Sequence, residues 1–273
     1  MRAASTILKE QIQYFYLIRR LSLYELKSSN NSNYLGMAWE LINPAIQILI
    51  YWLVFGTLMR REPIQIAGQT IPFISWLMAG FFVWTFFYQS VIQGSKSIYT
   101  RLRILSKMSF PMSIIPSYVI FSEFYIHLMS MTVTFIVFII LRQPFSIYLL
   151  QLPYYMFAGL CLMFSISLVM STLSTIIRDV HMLLNSVLRM LLYLSGVLWP
   201  ISLLSNYPLL MKFMKVNPVY YLISGYRAAF FEQKWLFITE WKYTLAFWII
   251  VGVLFLFGSK LHMKFRRHFI DYL

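Results

Sequence analysis

The feature that most constrains this chain is a repeated one: apolar runs of eighteen or more uncharged residues, separated by short basic stretches. At ~1.5 Å rise per residue, a helix of about 20 residues crosses a hydrocarbon core of about 30 Å. Lipid offers no water to satisfy backbone N–H and C=O groups, so a single buried segment must bond to itself as a helix. Of the 273 residues, 60% are hydrophobic and only 12% are charged, against about 25% charged in soluble domains. The chain therefore reads as an all-α integral membrane protein.

Six transmembrane helices are predicted, at about 36–59, 71–93, 114–141, 147–177, 182–200 and 243–261. An even number puts both termini on one side. With the termini inside, fourteen Lys and Arg fall on the inner side and eight on the outer, with Arg189 inside a span. The positive-inside rule thus predicts cytoplasmic termini. The net charge of +14 is accounted for in the same way: the basic residues sit at the ends of apolar runs, which argues against a nucleic-acid partner and for contact with membrane lipids. No cleavable signal peptide is visible, because the first forty residues are charged and amphipathic.

Residues 1–33 form the first unit, a cytoplasmic segment lying in the membrane interface, and 34–273 form the transmembrane domain. On a helix over 5–27, Lys9, Gln13, Arg20 and Lys27 fall on one line and Leu8, Ile12, Phe15 and Leu26 face away, which predicts an interfacial amphipathic helix. Residues 201–233 are too apolar for an exposed loop. They are also too interrupted, by Pro208, Pro218 and Gly225, for a span. Two re-entrant extracellular half-helices before the last span are expected, bordering protein or a watery cavity.

The first span carries Glu40, Asn43 and Gln47 near its start, with Pro44 among them. A polar side chain in a bilayer costs a few kcal/mol, so this helix must line something wet or pack on protein. Phosphate-cradling glycine motifs are absent, so an ATP-driven engine would lie on a second polypeptide. No catalytic residues are assigned. The acids are few and dispersed, and no metal is expected, because the four histidines do not cluster. Glu123 and His127 share a helical face and form the one candidate proton relay; a structural role, such as an interhelical hydrogen bond or pairing with Arg189, is the favoured reading. His181 and His262 are expected to be solvated at the inner interface. Cys161, the single cysteine, is expected to be a small buried residue.

The inner loop 96–110 is basic, with Leu102, Ile104, Leu105 and Met108 interleaved. A short amphipathic helix there would seat in a groove on a soluble partner. Aromatic residues make up 19% of the chain, more than interface belts need. Tyr51, Trp52 and Phe55 lie in the first span, Trp84, Phe87 and Tyr88 in the second, Tyr193 and Trp199 in the fifth. Lipid-facing packing accounts for any one of them; as a set they would make a slippery track for sugar rings.

The pattern Tyr34-Leu35-Gly36, Trp39, Asn43-Pro44 resembles the start of the first transmembrane helix in permease subunits of ABC exporters for cell-surface polysaccharides. So do the Arg178-Asp179 turn, the stretch to Leu194-Ser195 and Pro200, and Asn217-Pro218-Val219-Tyr220-Tyr221. Where a proline commonly follows that serine, this chain has Gly196. The string Ser32 to Pro44 looks most like the branch that exports teichoic acid in Gram-positive bacteria. The resemblance implies a multi-pass cell-membrane subunit working as a homodimer with two copies of an ATPase. ATP and Mg would bind that partner, and this chain would hold no cofactor. It implies ATPase coupling through the first inner loop (Tyr99, Arg101, Leu102, Arg103, Leu105, Met108 and Phe110) and through Arg178 and Asp179. The path would run between the two subunits along the first and fifth helices, giving Trp39, Tyr51, Trp52, Phe55, Tyr193 and Trp199 as candidates. Arg19, Arg20 and Lys27 are candidates for attracting the pyrophosphate of a lipid-linked teichoic acid at the entrance. The alternatives are a permease for another lipid-linked polysaccharide (O-antigen or capsule), a proton-coupled carrier, and a membrane glycosyl- or phosphotransferase.

Overall fold

The computed structural model describes residues 2–29, 34–59, 63–101, 111–266 and 269. Two short helices open the chain, α1 (Arg2–Gln13) and α2 (Phe15–Ser29). Their basic line is as expected: Lys9, Gln13, Arg20 and Lys27 are all exposed. The opposite face needs correction. The residues that pack on the protein are Ile7, Ile18, Ser22 and Leu26, whereas Leu8, Ile12 and Phe15 are exposed along with Tyr16 and Tyr24. The i→i−4 bonds run on through Tyr14, so the pair keeps one register and presents three faces: protein-facing, basic, and an uncovered apolar one.

The first span begins with a 3-10 turn (Gly36–Ala38), continues as α3 (Trp39–Tyr51) and ends as a π-helix (Trp52–Leu58). Gly36 has φ +51, a conformation that favours glycine. The π register is visible in the bond from Met59 N–H to the Val54 carbonyl. A small antiparallel hairpin follows, β1 (Ile64–Ile66) against β2 (Gln69–Ile71), with Ile64 opposite Ile71. Ala67 and Gly68, both at positive φ, make its two-residue turn. This strand pair is a departure from the all-helical expectation.

The remaining long helices are α4 (Phe73–Lys96), α5 (Ile114–Ile140), α6 (Leu152–Ile176, led by a 3-10 turn at Ile147–Gln151) and, at the end of the chain, α11 (Trp241–Phe265). Among the described residues, five helices are long and apolar enough to span a membrane. The expected span at 182–200 is the exception. Its helix, α7 (Asp179–Leu194), has 16 residues, about 24 Å, short of a hydrocarbon core. It stops because Gly196 turns into the left-handed region at φ +64. The region after it is broken into short pieces: a 3-10 turn (Ile201–Leu204), α8 (Pro208–Val216), α9 (Pro218–Phe231) and a single turn, α10 (Leu236–Thr239). Asn217 caps α9 by accepting from Val219 N–H, and Pro218 stands at the first helical position. The Asn217 amide also donates to Ser195 Oγ at 3.1 Å, tying the end of α7 to the start of α9.

Helix α4 is the hub. It packs against α5, α6 and α9, and α11 lies on the far side of α6. Small residues permit the close approach, as in membrane bundles generally. A Cβ at Gly94 would stand 2.2 Å from Ser167 Oγ of α6, and one at Gly80 would stand 2.4 Å from the guanidinium of Arg227. A second, smaller core gathers Ile18, Ile98, Ile115 and Tyr118 where α2 meets α5 and the end of α4. The first and last helices meet at this end of the bundle, where Arg266 pairs with Glu10 at 2.8 Å.

Candidate functional site

The polar start of the first span lines a cleft. Two adjoining cavities, of about 80 and 290 Å³, share Glu40, Gln89, Glu123 and Ile126. Asn43, Gln47 and His127 line the deeper one, and Glu25, Gln93 and Arg101 the shallower one. The cleft runs between α3, α4 and α5 towards the end of the bundle that carries the termini. There Arg101 pairs with Glu25 of α2. Gln89 and Gln93, one helical turn apart on α4, were not singled out from the sequence, although two glutamines at that spacing in an apolar helix are a signal of a polar face.

The charged groups acting on Glu123 are Glu40, Glu25 and Lys96. Arg189 is not among them; it is exposed on α7. The suggested Glu123–Arg189 pairing is therefore corrected. His127 also looks elsewhere: its Nε2 is 2.9 Å from the Tyr226 hydroxyl of α9, and its ring stacks on Phe86 at 4.5 Å. His262, expected to be solvated, is fully buried, with Nδ1 3.2 Å from Thr172 Oγ1 of α6.

The aromatic candidates divide. Trp39, Trp52 and Tyr193 are exposed. Tyr51 and Phe55 are half-buried, with Tyr51 packed edge-on against Phe81 at 5.5 Å. Trp199 is half-buried and donates its indole N–H to the Tyr193 carbonyl at 2.9 Å. Trp84 and Phe87 belong to the buried core, not to an open face. Around the open aromatics, the first span exposes Ile46, Leu49 and Leu53, and α7 exposes Met182, Leu183 and Met190.

At the termini-bearing end, the elements expected to meet a partner come together. His181, in the first turn of α7, lies with Nδ1 2.7 Å from Ser95 Oγ of α4, and Tyr99 sits edge-on to its ring. Burial, and then the Lys96 charge, lower the His181 pKa below its ordinary 6.5. Burial raises that of Tyr99 against the opposing pull of Arg178. Arg178 and Asp179 are exposed beside them, as are Arg19, Arg20 and Lys27 on α2. Leu102, Arg103, Leu105, Met108 and Phe110 lie outside the described residues.

Arg227, one of the eight basic residues counted on the outer side, has a different place. Arg227 of α9 is buried. Its guanidinium donates to the carbonyls of Gly196 at 2.7 Å, Val197 at 2.8 Å and Trp76 at 3.3 Å, and lies 3.3 Å over the Trp76 ring. It fastens the non-helical end of α7 to α4 and α9.

These features define a class: a multi-pass helical membrane protein with a polar cleft, a broken helical segment at the opposite end, and two elements, the first span and α7, whose apolar sides are left uncovered. The profile of the ABC-2 type transporter family matches residues 16–231, more than half of the chain, and the chain belongs to that family. Two relatives extend the likeness. An O-antigen export system permease protein RfbA of Myxococcus xanthus is 24% identical over 229 residues, covering 84% of this chain and 85% of its own. One of the same name from Klebsiella pneumoniae is 24% identical over 264 residues, covering 95% of each. Neither relative is named for teichoic acid, so the narrower teichoic-acid likeness has no support from them.

Proposed function

We propose that this chain is the transmembrane subunit of an ABC exporter that moves a lipid-linked polysaccharide from the inner to the outer leaflet, with O-antigen-type polymers as its substrate class. The observation that carries the reading is the family match over 16–231, joined by end-to-end similarity to two proteins named as O-antigen export permeases. Teichoic acid is the second polymer class, on the likeness of residues 32–44 alone.

Two copies pair with two copies of an ATPase, which binds ATP and Mg. Tyr99, Arg101, Arg178 and Asp179 meet that partner on the cytoplasmic side. Two copies facing each other through α3 and α7 cover the apolar sides that a single chain leaves open. Trp39, Trp52 and Tyr193 then offer sugar rings flat amphipathic surfaces without a tight binding site. Arg19, Arg20 and Lys27 draw in the pyrophosphate of the carrier lipid.

The test is co-expression with the candidate ATPase, reconstitution, and hydrolysis assays with lipid-linked O-antigen and, separately, lipid-linked teichoic acid precursor. Stimulation by the first alone supports the reading. Stimulation by the second alone exchanges the substrate. Absence of a stable complex overturns the exporter reading and returns the carrier and transferase alternatives.

A further inference from the structure

At the end of the bundle away from the termini, a cavity of about 320 Å³ opens between the hairpin, the turn after α7, and helices α8 and α9. That volume falls in the range of about 300–1,000 Å³ typical of small-molecule sites. We propose that this cavity binds one saccharide unit within each subunit. The proposal deepens the polysaccharide-export reading and rests on it.

The lining argues for the ligand class. Lys215, Arg227 and Lys234 contribute positive charge, and Glu232 and Glu240 contribute negative charge. A sugar hydroxyl donates to a carboxylate and accepts from an ammonium at once, so interleaved charges of both signs suit it. Ile64, Ile66, Ile201 and Leu236 add apolar wall for a ring face, while the five charged groups disfavour a bare acyl chain and the two carboxylates oppose a phosphate. The excess of one positive charge admits neutral or acidic sugars. Tyrosines supply the apolar contact: Tyr220, Tyr221 and Tyr243 all border the space.

The walls are set in advance. The Tyr221 hydroxyl is held by Tyr154 at 3.1 Å and by Thr244 at 3.0 Å. Lys234 pairs with Glu232 at 2.8 Å, and Arg227 is fixed by its three carbonyls. Glu240 and Lys215 are the two lining charges not held in this way. Neither makes an ion pair with a described residue, and Lys215 rests 5.6 Å over the Tyr243 ring. Pro200 and Ser202, which follow α7, form part of the wall. The exposed Tyr193 and the indole of Trp199 lie just before them in the chain. A sugar leaving the aromatic face of α7 thus reaches this cavity next.

Saturation-transfer NMR on the purified full chain, with glucose, mannose, rhamnose, N-acetylglucosamine and chitobiose as probes, tests the site. At least one probe is expected to receive saturation. Binding is expected to weaken about tenfold in Glu240→Gln/Lys215→Met, which removes charge-assisted hydrogen bonds. Ser202→Trp, which plugs the cavity from an exposed position, is expected to abolish it. Both variants should elute and melt as wild type. No transfer from any probe, or transfer unchanged in both variants, overturns the proposal. The two readings fail separately. Polymer-stimulated hydrolysis in a complex whose permease binds no probe defeats the cavity alone. Probe binding in a chain that forms no ATPase complex defeats the export reading alone.

Discussion

Helices α3 and α4 are neighbours, both long enough with their flanking turns to span a membrane, and the first span is the more apolar of the two; yet 11% of its most apolar window is buried against 78% for α4. In water the more apolar helix would be the more buried. In lipid the tails are as apolar as leucine, so apolarity does not decide which helix goes inside; small residues, ring packing and polar partners do. Helix α4 has these in Gly80, Gly94, Ser90 and Ser95, and in the rings of Trp76, Phe81 and Phe87. The first span has polar groups on one side and large apolar side chains on the other, and only Pro44 and Ile48 are buried. One helix is a structural axis. The other lines the polar cleft on one side and leaves its apolar side uncovered.

The sharpest way to break this contrast is at Arg227, whose guanidinium rests on the Trp76 ring at the start of α4. Arg227→Ala would leave the carbonyls of Gly196 and Val197 without donors in a buried turn. We expect a loss of about 3–5 kcal/mol of stability, seen as a large fall in Tm in detergent. Arg227→Lys should recover only part of it, because a point charge cannot bridge both carbonyls and lie flat on an indole. An unchanged Tm for Arg227→Ala would mean that α4 is not fastened there.

A smaller effect is expected at Gly94. A methyl group at this position meets Ser167 Oγ at 2.2 Å and Ser167 Cβ at 2.7 Å. Overpacking of this kind costs about 1–3 kcal/mol. Gly94→Ala should lower Tm accordingly, and adding Ser167→Gly should restore most of the loss. Failure of that rescue would place the strain elsewhere.

The same contrast explains what was legible in the sequence. Glu40, Asn43 and Gln47 announced a polar lining, because polar groups at membrane depth must line a cavity or pack on protein. Arg227 did not announce itself, since its partners are carbonyls about thirty residues away in the chain or more. The hairpin was missed because its turn uses Ala67-Gly68 where Asn-Gly is the strong signal. The fifth span was drawn too long because hydropathy runs on through Gly196, and only backbone conformation stops the helix there. The hub role of α4 was hidden for the reason given above: its glycines and serines were scattered through an apolar run, and hydropathy does not rank burial in lipid.

Substitutions on the open side of the first span should mirror those of α4. Leu49→Ala and Ile50→Ala, at half-exposed or more exposed positions, are expected to change stability by no more than about 0.5 kcal/mol. Trp52→Ala with Tyr193→Ala should likewise leave Tm unchanged, but lower polymer export several-fold in reconstituted vesicles. If either change unfolds the protein, α3 and α7 are structural elements like α4 and the division fails.

The smallest effect lies where α7 touches the end of α4. His181 binds its proton less readily in the folded protein than at its ordinary pKa of 6.5, through burial and the neighbouring Lys96 charge. Below 6.5 the unfolded chain therefore holds more protons than the folded one. The contribution of this contact is complete above 6.5 and is lost as pH falls from there towards the lowered folded value. Tyr99, its pKa raised by burial, stays neutral throughout this range. His181→Gln keeps a hydrogen-bonding group near Ser95 and cannot titrate. Wild type should thus lose Tm relative to His181→Gln between about pH 7 and about pH 5, where histidine changes charge. Parallel Tm profiles for the two proteins would show that the Ser95–His181 contact does not tie α7 to the hub.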